Sequence, residues 1–341
     1  MKLSDFQYEL PQELIAQSPL KQRDASRLLA VDRQNHRFEH RHFYDLPAYL
    51  RPGDCLVINT SKVLPARLYG KNPKHTTPIE VVLLKNVEAN IWEMLVRPGK
   101  RVPVGDTVVL GDGKLEAKIL SIGEGGVRVA ELAYKGEFYS LLDEIGQMPL
   151  PPYITRRLEE KDRYQTVYAK QPGSAAAPTA GLHFTPELLD LLSRQGVQIA
   201  HVTLHVGLGT FRPVKVEEIS EHKMHCESYF VDEKDADLIN RTRQNGGRVI
   251  AVGTTSIRTL ESAADENGMI RAGGGETEIF IYPGYRFKAV DGLITNFHLP
   301  GSTLLMLISA FYDREKILAL YREAIKEQYR FFSFGDAMLL L

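Results

Sequence analysis

A chain of 341 residues, 43% hydrophobic and 25% charged, is longer than one ordinary core requires. It has the composition of a folded globular protein, which excludes a disordered chain and predicts two domains. Its 42 Lys plus Arg stand against 43 Asp plus Glu, a formal net charge of -1. That balance excludes coating of nucleic acid or anionic membrane by bulk charge and leaves a local basic face open.

Two cysteines, Cys55 and Cys226, form neither a disulfide framework nor a Cys-pair metal motif and fit a reduced, cytoplasmic compartment. The opening Met1-Lys2-Leu3-Ser4-Asp5-Phe6 lacks the apolar core of a signal peptide. The longest apolar stretch, 304–312, is broken by Ser309 and falls short of the about 20 residues of a membrane span.

In chain order, residues 10–17 predict a short helix with Pro11 in its first turn. Residues 27–32 predict a strand, and 54–60 a stronger one, apolar on both faces. From 65 to 149 the texture changes to short β-branched runs at 79–84, 91–96, 107–110, 115–122 and 127–132, separated by Gly-rich turns. Strands at that spacing without helices between them predict a small barrel or sandwich. A helix at 137–145 and the stiff Pro149-Leu150-Pro151-Pro152 connector close the segment.

Strand–helix alternation follows. Thr185, Pro186 and Gly196 bound a helix, 197–206 is a strand, 232–244 a helix, and 248–253 a buried strand that runs straight into a helix at Thr254. Residues 292–298, 303–312 and a final amphipathic helix capped by Asp313 complete the series. Repeated β–loop–α units predict a mostly parallel sheet flanked by helices. The expected fold is α/β: a discontinuous sheet domain, residues 1–66 and 152–341, with an inserted small all-β, barrel-like domain at 67–151. No coiled coil or symmetric apolar face is visible, so a monomer is expected.

Three predicted strand-to-helix junctions hold the candidate chemistry, because ligands of open α/β sheets bind where helix N-termini present free N–H groups. The first, 173–185, is mostly Gly, Ala and Ser and ends on His183 and Phe184. It reads as a ligand loop or as a plain surface loop. The second, Gly253-Thr254-Thr255-Ser256-Ile257-Arg258, suits an anion such as a carboxylate or phosphate, and equally suits an ordinary N-cap. It has no Walker lysine, and no G-x-G-x-x-G follows the first strand. The third, 295–303, carries Asn296 and His298 at a strand end.

His201 and His205 have the i,i+4 spacing of a helical zinc site. On a strand they lie about 13 Å apart, too far to share one metal. His222-x-x-His225-Cys226 lacks further ligands at defined spacing, so hydrogen-bonding or acid–base work beside Glu227 is the better use of these histidines. No metal is expected. Basic clusters lie at Arg97-Pro98-Gly99-Lys100-Arg101, Arg156-Arg157 and Lys161-Asp162-Arg163, with Lys62 and Arg67 beside the entry to the insert. They form one cleft if the insert folds back over the sheet.

Eight ordered motifs spread over the chain carry a family resemblance. Among them are 59–67, Met148-Pro149-Leu150-Pro151-Pro152-Tyr153-Ile154, Tyr164-Gln165-Thr166-Val167-Tyr168, 176–184, His205-Val206-Gly207, 253–262, Asn296-Phe297-His298-Leu299 and Gly335-Asp336-Ala337-Met338. The chain resembles the S-adenosylmethionine:tRNA ribosyltransferase-isomerases of queuosine biosynthesis. The resemblance implies that the ribosyl moiety of S-adenosylmethionine is transferred to the aminomethyl group of 7-aminomethyl-7-deazaguanine at the tRNA wobble position and isomerised. The products are epoxyqueuosine-tRNA, adenine and methionine. S-adenosylmethionine is then a ribosyl-donor substrate, no cofactor is tightly bound, the partner is tRNA, and no membrane is involved.

That chemistry needs a base for a proton next to the sulfonium and an acid to assist adenine departure. His183, His205, His298, Glu227 and Asp336 are the expected catalytic groups, with base and acid not separated. Thr179, Gly181, Phe184, Gly207, Thr210, Thr254, Thr255, Ser256, Arg258 and Asn296 are expected to bind substrate, with the 254–256 helix start on the methionine carboxylate and Phe184 stacked on adenine. Lys62, Arg67, Arg97, Lys100, Arg101 and Arg156 are expected on tRNA phosphates. Lys62 stands where the family commonly has Arg. An α/β hydrolase assisted by metal at His222 and His225, or a non-enzymatic RNA-binding protein using the β insert, are the competing readings.

Overall fold

The computed structural model describes residues 1–156, 158, 160–207 and 214–341. The chain opens with β1 (Arg27–Asp32) and β2 (Arg37–His42), an antiparallel hairpin. β3 (Cys55–Asn59) follows, and all five of its residues are buried. A strand covered on both faces needs strands at its sides and helices above and below, and the remainder of the chain supplies them. β4 (Ser61–Val63) then leads out of the sheet.

Six strands follow: β5 (Arg67–Lys71), β6 (Pro78–Glu88), β7 (Ile91–Arg97), β8 (Thr107–Leu110), β9 (Leu115–Ile122) and β10 (Arg128–Tyr134), with in/out alternation clearest in β7 and β8. They close into a barrel in the order β10-β7-β6-β5-β8-β9, every neighbouring pair antiparallel. Its core includes Leu68, Val81, Met94, Val108, Ala117 and Leu132. Closure removes the exposed edges that such short strands would otherwise present. α1 (Phe138–Ile145) packs Phe138, Leu141 and Leu142 on that core, and Glu137 caps it by accepting the Tyr139 and Ser140 N–H groups.

The chain enters and leaves the barrel side by side. Arg67 and Gln147 exchange backbone hydrogen bonds at 3.1 and 2.9 Å. A Cβ on Gly146 would fall 1.9 Å from the Pro65 carbonyl oxygen. β11 (Gln171–Ser174) pairs parallel with β4 on the return.

The second part of the sheet comprises α2 (Pro186–Arg194), β12 (Gln198–Leu204), β13 (Glu227–Val231), α3 (Glu233–Gln244), β14 (Val249–Val252), α4 (Gly253–Ala263), β15 (Gly273–Thr277), β16 (Gly292–Asn296), α5 (Thr303–Phe311), α6 (Arg314–Lys326) and β17 (Ala337–Leu340). The sheet runs β15-β13-β12-β3-β14-β16-β17-β1-β2. Helix caps follow the sequence: Thr185, Ser302 and Asp313 each accept a first-turn N–H through the side chain. Among the described residues, no helix is long and apolar enough to cross a membrane.

The α/β fold with an all-β barrel agrees with the sequence. Two local expectations do not hold. Residues 10–17 form a single 3-10 turn, Gln12–Leu14, because the backbone there is recruited to Phe331: the Phe331 N–H donates to Leu14 O and the Ala16 N–H to Phe331 O. The sheet is mixed rather than mostly parallel among the described residues. β1–β17, β3–β12, β3–β14 and β14–β16 are parallel, whereas β1–β2, β12–β13, β13–β15 and β16–β17 are antiparallel.

The neck of the barrel gives a stability prediction. Gly146→Ala pushes a methyl group into the Pro65 carbonyl, and urea unfolding is expected to show a loss of about 1–3 kcal/mol. Stability unchanged to within about 0.5 kcal/mol contradicts the tight crossing.

Candidate active site

β14 passes into α4 without a loop. Gly253 makes the bend at φ +85, a conformation that a side chain would strain. The first N–H groups of α4 therefore point out of the carboxyl end of the sheet with the positive end of the helix dipole behind them. Thr254 and Thr255 face this point. Ser256 does not: it is fully buried and its hydroxyl donates back to Val252 O at 2.8 Å.

The end of β16 lies beside it. Thr295, Asn296 and His298 leave the strand there, ahead of the Ser302 cap of α5. Small residues of the 173–185 loop, including Ala176, Ala177 and Thr179, form the third side. Together they enclose a cavity of about 330 Å³, the size of a small-molecule site. The three junctions singled out in the sequence thus meet around one cavity.

Its dominant charge is Arg258, 4% exposed on α4. Nη1 donates to Glu227 Oε2, and Glu227, itself 3% exposed, also accepts from His225 Nε2 at 2.9 Å and the Gly207 N–H at 3.0 Å. Burial pushes the Glu227 carboxyl up, but the His225 hydrogen bond, the Arg258 charge and the Gly207 N–H outweigh it and hold the group below its ordinary value. Glu227 is thus a fixed anion that holds Arg258 in place.

Among the described residues, Arg258 Nε and Nη2 have no partner, and neither has Thr255 Oγ1 or Asn296 Oδ1. All three residues line the cavity. Nε and Nη2 form the side edge of the guanidinium, two parallel donors matched to a carboxylate.

Of the three expected catalytic histidines, only His298 lines this cavity. Its Nε2 is 2.8 Å from Thr295 Oγ1, and burial pushes the imidazole down to about 3. His183 lies behind Asn296 instead. It stacks on Phe43 and is held by Ser26 Oγ at 2.7 Å and Asn296 Nδ2 at 3.3 Å. Burial pushes it down to about 4 despite the nearby Asp336 carboxylate.

His205 is half-buried beside Gly173, with Nδ1 3.2 Å from Ser61 Oγ. Asp336 accepts the Arg27 and Arg330 N–H groups, away from the cavity. His225 is committed to Glu227, and His222 packs edge-on against Phe280. Among the described residues, no three His, Cys, Asp or Glu side chains assemble into a metal site.

Besides Ser256, three of the expected ligand contacts are engaged within the protein. Phe184 is fully buried in the core against Phe43. Gly181 packs under Tyr168, whose hydroxyl lies 2.0 Å from where a Cβ would stand. Gly207 serves Glu227, and Thr210 lies outside the described residues. The aromatic rings on the wall include Tyr153, Tyr164 and Phe332, which the sequence reading passed over. The signal for Phe332 was the Phe331-Phe332-Ser333-Phe334 run, too apolar for the polar turn that follows an amphipathic helix, whereas Tyr153 and Tyr164 stand inside the motifs at 148–154 and 164–168.

A family model described as queuosine biosynthesis protein matches residues 3–340. The chain belongs to this family. Relatives named S-adenosylmethionine:tRNA ribosyltransferase-isomerase share 57% identity over 340 residues in Acetivibrio thermocellus and 59% over 341 in Symbiobacterium thermophilum, each covering 100% of both chains. A solved structure of S-adenosylmethionine tRNA ribosyltransferase from Thermotoga maritima is 42% identical, with a TM-score of 0.56, and covers 99% of this chain and 100% of that one. The protein is therefore a transferase of queuosine biosynthesis and tRNA modification.

The basic residues expected on tRNA are distributed as follows. Arg97, Lys100 and Arg101 are exposed at the end of β7 and the turn after it, and Lys62 and Arg156 are exposed closer to the sheet. None of these five is ion-paired among the described residues. Arg67 is partly committed, with Nε 3.2 Å from Glu80.

The buried histidines fix a pH dependence. Unfolded, both imidazoles titrate near about 6.5; folded, His183 and His298 stay neutral down to about 4 and about 3. Below the unfolded pKa the unfolded chain binds protons that the folded chain does not. Stability is thus full above about pH 6.5 and falls by roughly 1.4 kcal/mol per pH unit per histidine between about pH 6 and about pH 4.5. Urea unfolding across that range should show the slope, and His183→Gln or His298→Gln should each flatten it. A slope unchanged in both variants contradicts their buried, neutral state.

Proposed function

We propose that this chain transfers the ribosyl moiety of S-adenosylmethionine to the aminomethyl group of 7-aminomethyl-7-deazaguanine at the tRNA wobble position. Isomerisation then gives epoxyqueuosine-tRNA and releases adenine and methionine. The observation that carries this reading is the Nε/Nη2 edge of Arg258, without a partner among the described residues, beside the N-terminus of α4 at a cavity of about 330 Å³. A buried donor pair of that geometry calls for a carboxylate, and the methionine end of S-adenosylmethionine supplies one. The Thr254 and Thr255 N–H groups and Thr255 Oγ1 complete its binding.

A carbanion next to the positive sulfur is stabilised, so the proton on that carbon is acidified, and a base in contact with it is required. His298 is the one expected catalytic histidine that lines the cavity, and its imidazole is assigned that proton. Electrons released at the carbon then drive ring opening and departure of adenine. His183 and Asp336 act from behind the wall, and Glu227 acts through Arg258. His205 stands next to Val206, which lines the cavity, and serves the nucleobase side.

The barrel, the inserted unit of residues 67–151, presents Arg97, Lys100 and Arg101 to the RNA backbone, with Lys62 and Arg156 nearer the cavity. The reaction takes place in the cytoplasm, where its tRNA is.

Incubation with S-adenosylmethionine and tRNA carrying the aminomethyl-deazaguanine should release free adenine in step with modification. No adenine, or adenine together with methylated tRNA, contradicts the reading. Arg258→Lys keeps the charge and loses the fork, so KM for S-adenosylmethionine should rise by about tenfold or more while KM for tRNA holds. Lys100→Ala and Arg101→Ala should each weaken tRNA binding and lower the salt slope by about one, leaving KM for S-adenosylmethionine unchanged.

A further inference from the structure

We infer that Asn296 and Phe332 together read the purine of the donor: the ring lies on Phe332 and its 6-amino group donates to Asn296 Oδ1. The inference rests on the proposed use of S-adenosylmethionine and adds the part of the cavity that selects it.

Asn296 is the last residue of β16 and is 2% exposed. Its Nδ2 donates to the Phe332 carbonyl at 3.0 Å and lies 3.3 Å from His183 Nε2. A carbonyl only accepts, so the amide has one orientation here, with nitrogen toward Phe332 and oxygen away from it. Nε2 of His183 then accepts, and its Nδ1–H donates to Ser26 Oγ. Asn296 lines the cavity, and its oxygen is buried and has no donor among the described residues. A buried acceptor left without a donor costs on the order of 1–3 kcal/mol, which a ligand N–H recovers.

Phe332 holds an unusual backbone, φ +71, in a region that bulky residues rarely enter. Its N–H donates to Phe297 O at 3.1 Å, and its carbonyl also accepts the Gly335 N–H at 2.9 Å. The turn sets the Phe332 ring on the cavity wall, with its centroid 4.8 Å from that of Tyr153. The same residue therefore clamps the amide and offers an aromatic face beside it.

A flat apolar face with a fixed acceptor at its rim suits a planar heterocycle bearing an exocyclic amine. Of the groups of the donor, the carboxylate goes to Arg258 and the ribose is not planar, which leaves adenine. A 6-oxopurine brings a second acceptor against Oδ1 and is rejected. His183 is a positioning residue in this account, because it locks the amide rather than meeting the substrate.

The test is calorimetric binding of S-adenosylmethionine and of its 6-oxo analogue, S-inosylmethionine, to the full chain. The wild-type protein should prefer the amino form by about tenfold or more. Asn296→Ala should bring the two affinities within about twofold of each other. Phe332→Leu keeps the backbone clamp, so it should weaken both ligands and preserve their ratio. His183→Phe should lower the ratio, which loss of stability alone does not do.

If the wild-type protein binds both ligands alike, the inference is overturned, and that measurement needs no variant to fold. A preference retained in Asn296→Ala, or a fall in both affinities at constant ratio, also overturns it, since Oδ1 then serves some other group. Adenine release by the wild-type protein reports on the donor itself, so the two claims fail separately.

Discussion

Arg258 is a guanidinium buried on an α/β sheet and, among the described residues, paired only through Nη1 with Glu227. Removing both charges of such a pair from water costs several kcal/mol per ion, and the pair holds only when its remaining donors and acceptors are met. Glu227 meets this condition, with Arg258, His225 and the Gly207 N–H filling its lone pairs. Arg258 does not, since Nε and Nη2 remain without partners among the described residues. The arrangement is electrostatically complete on the protein side and incomplete on the cavity side, as expected of a preorganised binding group.

The sheet order explains how this group is held. β3 and β14 lie adjacent at the centre, and Asp54 ties their starts together by accepting from Arg248 at 2.6 and 3.1 Å. With the strand ends fixed, the β14–α4 bend is fixed too, and Arg258 sits one and a half turns along a helix that cannot shift. Glu227 comes from β13, two strands beyond β3. The pair therefore links separate elements of the sheet and makes the cavity wall sensitive to the integrity of the whole layer. The barrel hangs from the same sheet by a narrow neck at Pro65 and Gly146, so its basic turn is carried by a rigid body on a short pair of connections.

Much of this was legible from the chain alone. The short β-branched runs at regular spacing and the Gly-rich turns between them announced the barrel. The Thr185 and Asp313 caps marked two helix starts. All three junctions proved to share one cavity: β14 and β16 are neighbours in the open sheet, so their ends lie together, and the 173–185 loop, which runs on from β11 of the separate β4–β11 pair, closes over them. What stayed hidden depends on partners far away in the sequence. β2 is charged and β15 is glycine-rich, and both are edge strands whose pairing comes from a neighbour rather than from their own pattern. The helix expected at 10–17 was lost to a backbone pairing with Phe331. Phe184 and Phe332 are both Phe outside helices and strands, and only the packed core determines that the first is wholly inside and the second lines the cavity. His183 and His298 look alike in sequence, yet one stands behind the amide of Asn296 and the other on the wall.

The cavity thus brings together a buried guanidinium, a neutral histidine and an aromatic wall with a single oriented amide. The central claim is that the free edge of Arg258 holds the carboxylate of S-adenosylmethionine. A crystal structure of the protein with S-adenosylhomocysteine, which keeps that carboxylate and cannot react as a sulfonium, tests it most directly. The account predicts the two carboxylate oxygens within hydrogen-bonding distance of Arg258 Nε and Nη2, with the α4 N-terminus behind them. A carboxylate that lies in solvent or on another cation, with the fork of Arg258 satisfied by the protein itself, contradicts it.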